Sequence, residues 1–594
     1  VNHPNGETAP QREALAWLTW LAWTAVTLLF TVLSLLYFWP LPKVLGDHIG
    51  PDLGDPLFVL WVLKWGVHEI RLGLPNLWNG SVWNANIFYP TRGALAFSDH
   101  LLGPAAELVL FLKVFPNAIT GYNVLFVSSY IGSALAVCWM LRKSGLSWTA
   151  AVMGGWMYAF SSFRLSQMSH LPILIAQWIP LTLWFWDRLL AERTAKNAAL
   201  FLLFYLLNLS GGCYLAYMIH FSLLAIFLCR APTVRRDLFS LRSLRVLIPV
   251  GVVAGLAVAA FFLPYARISR AQGLSRPRAE IEFYSAKLAS YFSPSDENGY
   301  FGEGAKRLLR KALGDSADRF FRPENSLFAG FLPTILFFVG VWAAWRERRL
   351  APADPWVRGL VLSGLVCFVL SFAWAFVPLA RIVPGLSGMR VPARFYAFVS
   401  LTIVFFAARG LDFLRSRIQN PRARAVLVAG LAAILLIELA PWGFRMERLP
   451  REGELPQVYR WLRDQPSIQG LVELPLYGDS REMDYVYAST VHWKPIANGY
   501  SGYMAPSYDQ LANRIFRLPG VAGFDKLRSM GISHIVVHAE PPLRIKEVRR
   551  WERKHGEGPE RQMEKVYGSE DDGIFVYRVL SAPLASAAGA PDSP

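Results

Sequence analysis

The segment GDHIGPDLGDP, residues 45–56 of the chain apart from its first position, places Asp47, His48, Asp52 and Asp55 within nine residues. A second acid–imidazole pair, Asp99 and His100, closes the run FYPTRGALAFSDH that begins at Phe88. Carboxylates at this spacing can accept a proton from a hydroxyl nucleophile, or bind a divalent cation such as Mg or Mn through Asp55 and Asp99. Asp before Gly and Pro is also ordinary turn and helix-cap chemistry, and that alternative stays open. Between the two clusters, Leu57 to Leu72 is an amphipathic stretch with Trp61 and Trp65 one turn apart, suited to a membrane surface.

Cations form a second constellation. Arg164 and His170 end one predicted outer loop, and Arg267 and Arg270 open another, followed by Arg276 and Arg278. Arg390 and Arg394 frame MRVPARF. Arg is normally depleted on the outer side of a membrane protein, so these positions run against the trend. A guanidinium fork matches phosphate oxygens, and also matches neighbouring Asp or Glu side chains or lipid headgroups. Glu324, in PENSLFAG, precedes an apolar run and could pair with such an Arg. The stretch HWKPIANGYSGY carries His492, Asn498 and Tyr500, which suit sugar stacking and hydroxyl hydrogen bonds as well as domain packing. Glu438 lies inside the last apolar run, where an acid is costly.

Long apolar segments must position these groups. Hydrophobic residues make up 54% of the 594 positions and charged residues only 17%, and mean hydropathy is +0.30. An ordinary soluble domain has about 25% charged residues. About eleven spans are expected: Leu15–Phe38, Tyr122–Leu141, Trp148–Ser161, Leu171–Trp186, Ala198–Leu209, Tyr214–Leu228, Val246–Leu263, Leu327–Trp345, Gly359–Val377, Phe395–Ala408 and Ala425–Leu439. A turn near Gly211 must separate the fifth from the sixth, or every later loop changes side. With that turn the short basic loops fall on one face, as the positive-inside rule requires. The net charge of +17 is therefore read as membrane topology and not as a nucleic-acid interface. The four cysteines form no CxxC pair and imply neither disulfides nor zinc. The first run is long enough to be a retained helix. Leu101–Phe115 is too short for a span and is expected at the interface.

The fold class expected is an α-helical polytopic membrane protein with a C-terminal extracytoplasmic α/β domain. Residues 1–442 form the membrane domain, with outer loops at 41–121 and 266–326. Residues 443–580 form the second domain, with strands at Gly470–Leu474, His534–His538 and Ile574–Leu580, and 581–594 a disordered tail. The expected location is the bacterial inner membrane, with the N-terminus cytoplasmic and the C-terminal domain periplasmic.

This layout, together with GDP at Asp55, FYP at Phe88, SDH at Ser98, MRVPARF, VELP, HWKP and NGYSG, resembles the C-type (GT-C) superfamily of integral membrane glycosyltransferases, in a branch like the YfhO-like membrane proteins. The resemblance covers nearly the whole chain. It implies an inverting transfer of a sugar from a polyprenyl-phosphate donor to a glycan, lipid or protein acceptor at the periplasmic face. It implies Asp55 as catalytic base, Asp52 as runner-up and Asp99 as the second acidic site. The donor phosphate would sit near the outer arginines. No DxD pair is present, a departure from the family's pattern. A transporter or flippase of lipid-linked sugars, or a non-catalytic envelope-assembly protein, are the alternatives. Convergence of Asp55, Asp99 and Arg390 on one cleft distinguishes the enzyme from both.

Overall fold

The computed structural model describes residues 9–300, 302–314, 322–347, 354–441, 443–515, 517–541 and 543–581. The expected disordered tail falls outside them except for Ser581. Among the described residues, five helices are long and apolar enough to cross a membrane: Trp17–Tyr37, Ala118–Lys143, Cys213–Arg235, Leu241–Gln272 and Pro392–Ser416. A sixth span results if Pro355–Leu370 and Ala373–Ala380, which meet at 88°, count as one. The chain is a multi-pass membrane protein. Other expected spans are short, among them Ala195–Gly211 with 17 residues and Phe331–Arg346 with 16. Trp148–Ala159 has 12 residues and Trp178–Glu192 has 15, rising about 18 and 22 Å at 1.5 Å per residue against a core about 30 Å thick. The segment expected as Leu171–Trp186 is broken, with a single turn at Leu171–Leu174 before the longer helix.

The turn near Gly211 is present. Gly212 has φ 155°, a backbone conformation that L side chains rarely adopt, between helices Ala195–Gly211 and Cys213–Leu238. The Tyr205 hydroxyl lies 2.8 Å from His220 Nε2. In one straight helix those residues would be about 22 Å apart, so the chain doubles back here.

Helix Asp55–Leu72 departs from its expected setting. Trp61 and Trp65 are buried, and the Trp65 indole donates to the Val82 carbonyl at 2.8 Å. The helix is apolar on more than one face. It is enclosed between helix Leu102–Leu112 on one side and helix Glu482–Ala488 of the C-terminal domain on another. Asn117 and Asn123 fix the loop before it. Asn117 caps helix Ala118–Lys143 and donates to the Gly46 carbonyl at 3.0 Å, while Asn123 donates to the carbonyls of Leu45 and His48.

The C-terminal domain holds a four-stranded sheet. With β1 (His48–Ile49) and β2 (Glu447–Arg448) forming a separate antiparallel pair, the sheet consists of β3 (Leu471–Leu474), β4 (His534–His538), β5 (Met563–Ser569) and β6 (Ile574–Val579) in the order β3-β4-β6-β5. β3 and β4 are parallel and the other pairs antiparallel. β3 and β4 are buried along their whole length, which matches the apolar Leu471, Val472 and Leu474 of the one and Ile535–Val537 of the other. β5, which alternates more weakly, was not anticipated.

Two backbone pairings tie this domain to the first loop. One is β1 with β2. In the other, the Phe88 and Tyr89 amides donate to the carbonyls of Asn498 and Ile496 at 3.0 and 2.9 Å, and the Ile496 amide donates to Asn86. Gly499 permits this approach, since a Cβ there would lie 2.5 Å from the Phe88 ring.

Candidate functional site

Asp55 is the first residue of helix Asp55–Leu72, followed by Pro56. Pro pre-sets the first helical turn, and the helix N-terminus favours a carboxylate. Asp55 Oδ1 accepts from the Tyr500 hydroxyl at 3.0 Å, and Oδ2 lies 3.0 Å from His170 Nε2. Burial pushes the Asp55 carboxyl up. The hydrogen bond and charge of His170, the Tyr500 hydroxyl and the Arg394 charge together outweigh it and bring the group down to about 2. The carboxylate is thus ionised across the physiological range.

Asp52 stands beside the cleft and not in its wall. Its Oδ1 accepts from the Gly54 amide at 2.7 Å and its Oδ2 from the Ser169 hydroxyl at 2.7 Å, so it holds the helix start against the loop that carries His170. Asp99 faces the cleft, but its Oδ1 accepts from the Cys213 amide and caps helix Cys213–Leu238. Glu438 does the same for helix Phe331–Arg346, accepting from the amides of Phe331 and Leu332. Each acid satisfies orphan amides at the start of a helix in an apolar setting.

Three arginines line the other side. Arg390 lies 3.4 Å from Glu280 and receives the Tyr284 ring at 5.3 Å, and its backbone amide donates to the Tyr214 hydroxyl. Arg394 is buried, stands over the Tyr214 ring at 4.6 Å and reaches Glu324 at 3.8 Å. Arg276 pairs with Glu280 at 3.2 Å, donates to the Gly502 carbonyl at 2.6 Å and stacks on Tyr503 at 3.4 Å. Buried Nε atoms of Arg394 and Arg276 have no hydrogen-bond partner among the described residues.

Asp55, Asp99, His170, Arg276, Arg390, Arg394 and Tyr500 therefore face one cleft of about 180 Å³. Cys213, Tyr214, Tyr265, Gly388 and Tyr503 also border a second, largely apolar groove of about 840 Å³. That groove runs between helices Cys213–Leu238 and Leu241–Gln272 and the loop at 383–389. These residues form a common wall of the two spaces.

Other candidates lie elsewhere. Arg164 is buried and spends its guanidinium on the carbonyls of Ala159, Leu174 and Ser129, with Tyr130 beneath it. His100 is buried under the site, stacked on Phe261 at 5.0 Å. Arg267 is exposed on helix Leu241–Gln272 and borders neither space. Glu324 touches the site only through Arg394. His492 is buried, stacked against Tyr459, with Nδ1 accepting from the Lys494 amide. Burial pushes it down to about 3. Asn498 clamps β3 by exchanging hydrogen bonds with the Glu473 backbone and donating to Glu482. Of HWKPIANGYSGY, then, only Tyr500 to Tyr503 form cleft wall.

The sequence does not single out Ser169, Tyr214 and Tyr265, while Tyr503 ends the run HWKPIANGYSGY. Serines and aromatic residues are common throughout the chain, and only the fold brings these residues together. Arg276 had a signal, the same against-trend position as Arg390. For a divalent cation, Asp55 and Asp99 share the cleft, yet no group of three His, Cys, Asp or Glu side chains able to hold a metal occurs among the described residues. The Asp99 carboxylate is engaged in capping.

No family model and no curated relative matches the chain. Solved structures do. The cryo-EM structure of the arabinofuranosyltransferase AftD from Mycobacteria superposes over 94% of this chain with a TM-score of 0.55 at 14% identity. A structure of an AftD mutant superposes over 95% with a TM-score of 0.51, also at 14% identity. The chain spans 40% and 42% of the length of those two chains. Its helical bundle, its first loop and its C-terminal segment together have the fold of the corresponding part of the arabinofuranosyltransferase AftD.

Proposed function

We propose that this protein is a membrane glycosyltransferase that transfers a sugar from a polyprenyl-phosphate-linked donor to a cell-envelope acceptor. The observation that carries the reading is the juxtaposition of an ionised carboxylate, Asp55, with Arg390 and Arg394 in one cleft that shares wall residues with an apolar groove. The groove suits an isoprenoid chain, and the arginines suit the phosphate at its end. The likeness to AftD supports the same class of reaction.

In the proposed reaction an acceptor hydroxyl enters beside Asp55 and displaces His170 from Oδ2. Its proton passes to Oδ2 as its oxygen bonds to the anomeric carbon. The bond from that carbon to the donor phosphate breaks, and the electron pair leaves with the polyprenyl phosphate. Arg390 and Arg394 stabilise the charge that develops there. A single displacement inverts the anomeric configuration. Tyr500 and His170 keep Asp55 oriented until the acceptor arrives. All proposed steps use protein side chains. The cleft is placed on the periplasmic side, where positive-inside counting puts the first loop.

Purified protein reconstituted with a labelled polyprenyl-phosphate sugar tests the reading. Transfer by the wild type and its loss in Asp55→Asn are expected. Full activity in Asp55→Asn removes Asp55 from the role of base. A polar path through the bundle would favour a flippase, but the convergence of acid and arginines at one end of the bundle favours an enzyme.

A further inference from the structure

Helix Asp55–Leu72 has a second working face. Lys64, His68 and Arg71, at successive i, i+4 and i+7 positions, border a cavity of about 640 Å³ that shares no residue with the Asp55 cleft. Its other walls are the C-terminal end of helix Leu102–Leu112 with Pro116 and Asn117, and Arg451, Arg463, Tyr487, Thr490 and Trp493 of the C-terminal domain.

The charge of this cavity is one-sided. It is bordered by Lys64, Arg71, Arg451 and Arg463, with Glu452 as the single acid. Among the described residues, Lys64, His68 and Arg71 form no ion pair, while Arg451 and Arg463 pair with Asp47 and Asp464 at their own sides. Lys64 donates to the Thr490 hydroxyl at 2.5 Å and stands over the Tyr487 ring at 5.1 Å. Burial pushes its ammonium down to about 8, against the Glu452 charge. His68 stacks on Trp493 at 4.4 Å. Trp493 itself has φ 56°, rare for a bulky residue and a local strain that the surrounding packing must hold.

Leu72, Leu74, Leu110, Val114 and Phe115 are exposed large side chains within three positions of Arg71, Leu112 or Pro116, which line the cavity, and so form an apolar edge beside it. Two cations without a paired carboxylate among the described residues, Lys64 and Arg71, beside an exposed apolar edge match an amphiphile with an anionic head.

We infer that this cavity is a second ligand site that takes a phosphate ester, with Lys64 and Arg71 on the phosphate and the apolar rim beside its chain. It is separate from the proposed transfer reaction and does not depend on it. The phosphate ester can come from an anionic lipid or from a soluble ester, and the two sources separate experimentally.

Full-length protein in phosphatidylcholine nanodiscs, with and without phosphatidylglycerol, is examined by thermal melting and by native mass spectrometry for retained lipid. A parallel arm adds glycerol phosphate to protein in phosphatidylcholine. The wild type should retain phosphatidylglycerol and melt higher with it, and Lys64→Gln/Arg71→Gln should lose this, at about fivefold weaker binding per cation removed. Arg71→Gln alone, at an exposed position, covers the case in which the double variant does not fold. Stabilisation by glycerol phosphate, lost in the variants, assigns a soluble ester. Equal retention and equal melting for wild type and Arg71→Gln in both arms overturns the site.

Discussion

His170 Nε2 sits 3.0 Å from Asp55 Oδ2, bridging a turn after the short helix Ser162–Ser166 to the first residue of a helix more than a hundred positions earlier. The pair sets the protonation of the carboxylate that faces the cleft, and several outcomes depend on it.

Asp55→Asn should lower transfer by about 10²–10⁴-fold, the usual contribution of a positioned general base. The melting temperature should stay near that of the wild type, because Asn retains a partner for Tyr500. Steady-state rates measured beside a thermal melt separate the two effects.

His170→Gln should move the acidic limb of the pH–rate profile upward. Burial alone raises the Asp55 carboxyl, and the hydrogen bond and charge of His170 are the foremost influences that lower it. For stability the sign is that of a depressed acid. The contribution is present above the unfolded value near 3.8 and fades as pH falls toward about 2. An unmoved acidic limb in His170→Gln would show that another group sets it.

Arg394→Met should destabilise the protein by about 3–5 kcal/mol, since it strands Glu324 as a buried unpaired charge. Arg394→Met/Glu324→Gln should recover most of that stability without recovering transfer. Recovery of both would reduce Arg394 to a structural ion-pair partner.

Gly499→Ala should cost about 1–3 kcal/mol, the range for an inserted methyl in a packed region. The added Cβ meets the Phe88 ring. Tyr500 then shifts away from Asp55, and kcat should fall along with stability. Phe88→Leu in the same chain should relieve the clash. Denaturant melts and rates on the single and double variants give the coupling.

Asn498→Ala should act on stability by about 1–3 kcal/mol, by leaving the Glu473 amide and Glu482 short of partners in a buried setting. Its KM should change little, because Asn498 borders no cleft. A selective rise in KM would return it to the binding surface.

The sequence pattern already located the hydrophobic helices, the turn at Gly212, three of the four strands of the C-terminal sheet, and the six side chains Asp55, Asp99, His170, Arg390, Arg394 and Tyr500 that share the cleft. Those features are local or carry a charge in an unusual place. Arg164 carried the same signal and proved to be a brace for three carbonyls, because charge in an apolar region marks both sites and buried struts. Helix Asp55–Leu72 read as a surface element, since an amphipathic pattern does not reveal that a later domain covers the exposed face. Tyr214 and Tyr265 left no signal, because their role comes from meeting Tyr500 to Tyr503, a segment more than 200 positions away in the chain.

β1 and β2 join residues 400 positions apart, with His48 opposite Arg448. β2 and Tyr500, which close the first loop over Asp55, are both synthesised after the last long helix. A ribosome that stalls before β2 leaves a chain whose Asp55 carboxylate lacks Tyr500. The order of synthesis thereby makes the cleft the last part of the chain to be finished, complete only once the final segment has folded back on its beginning.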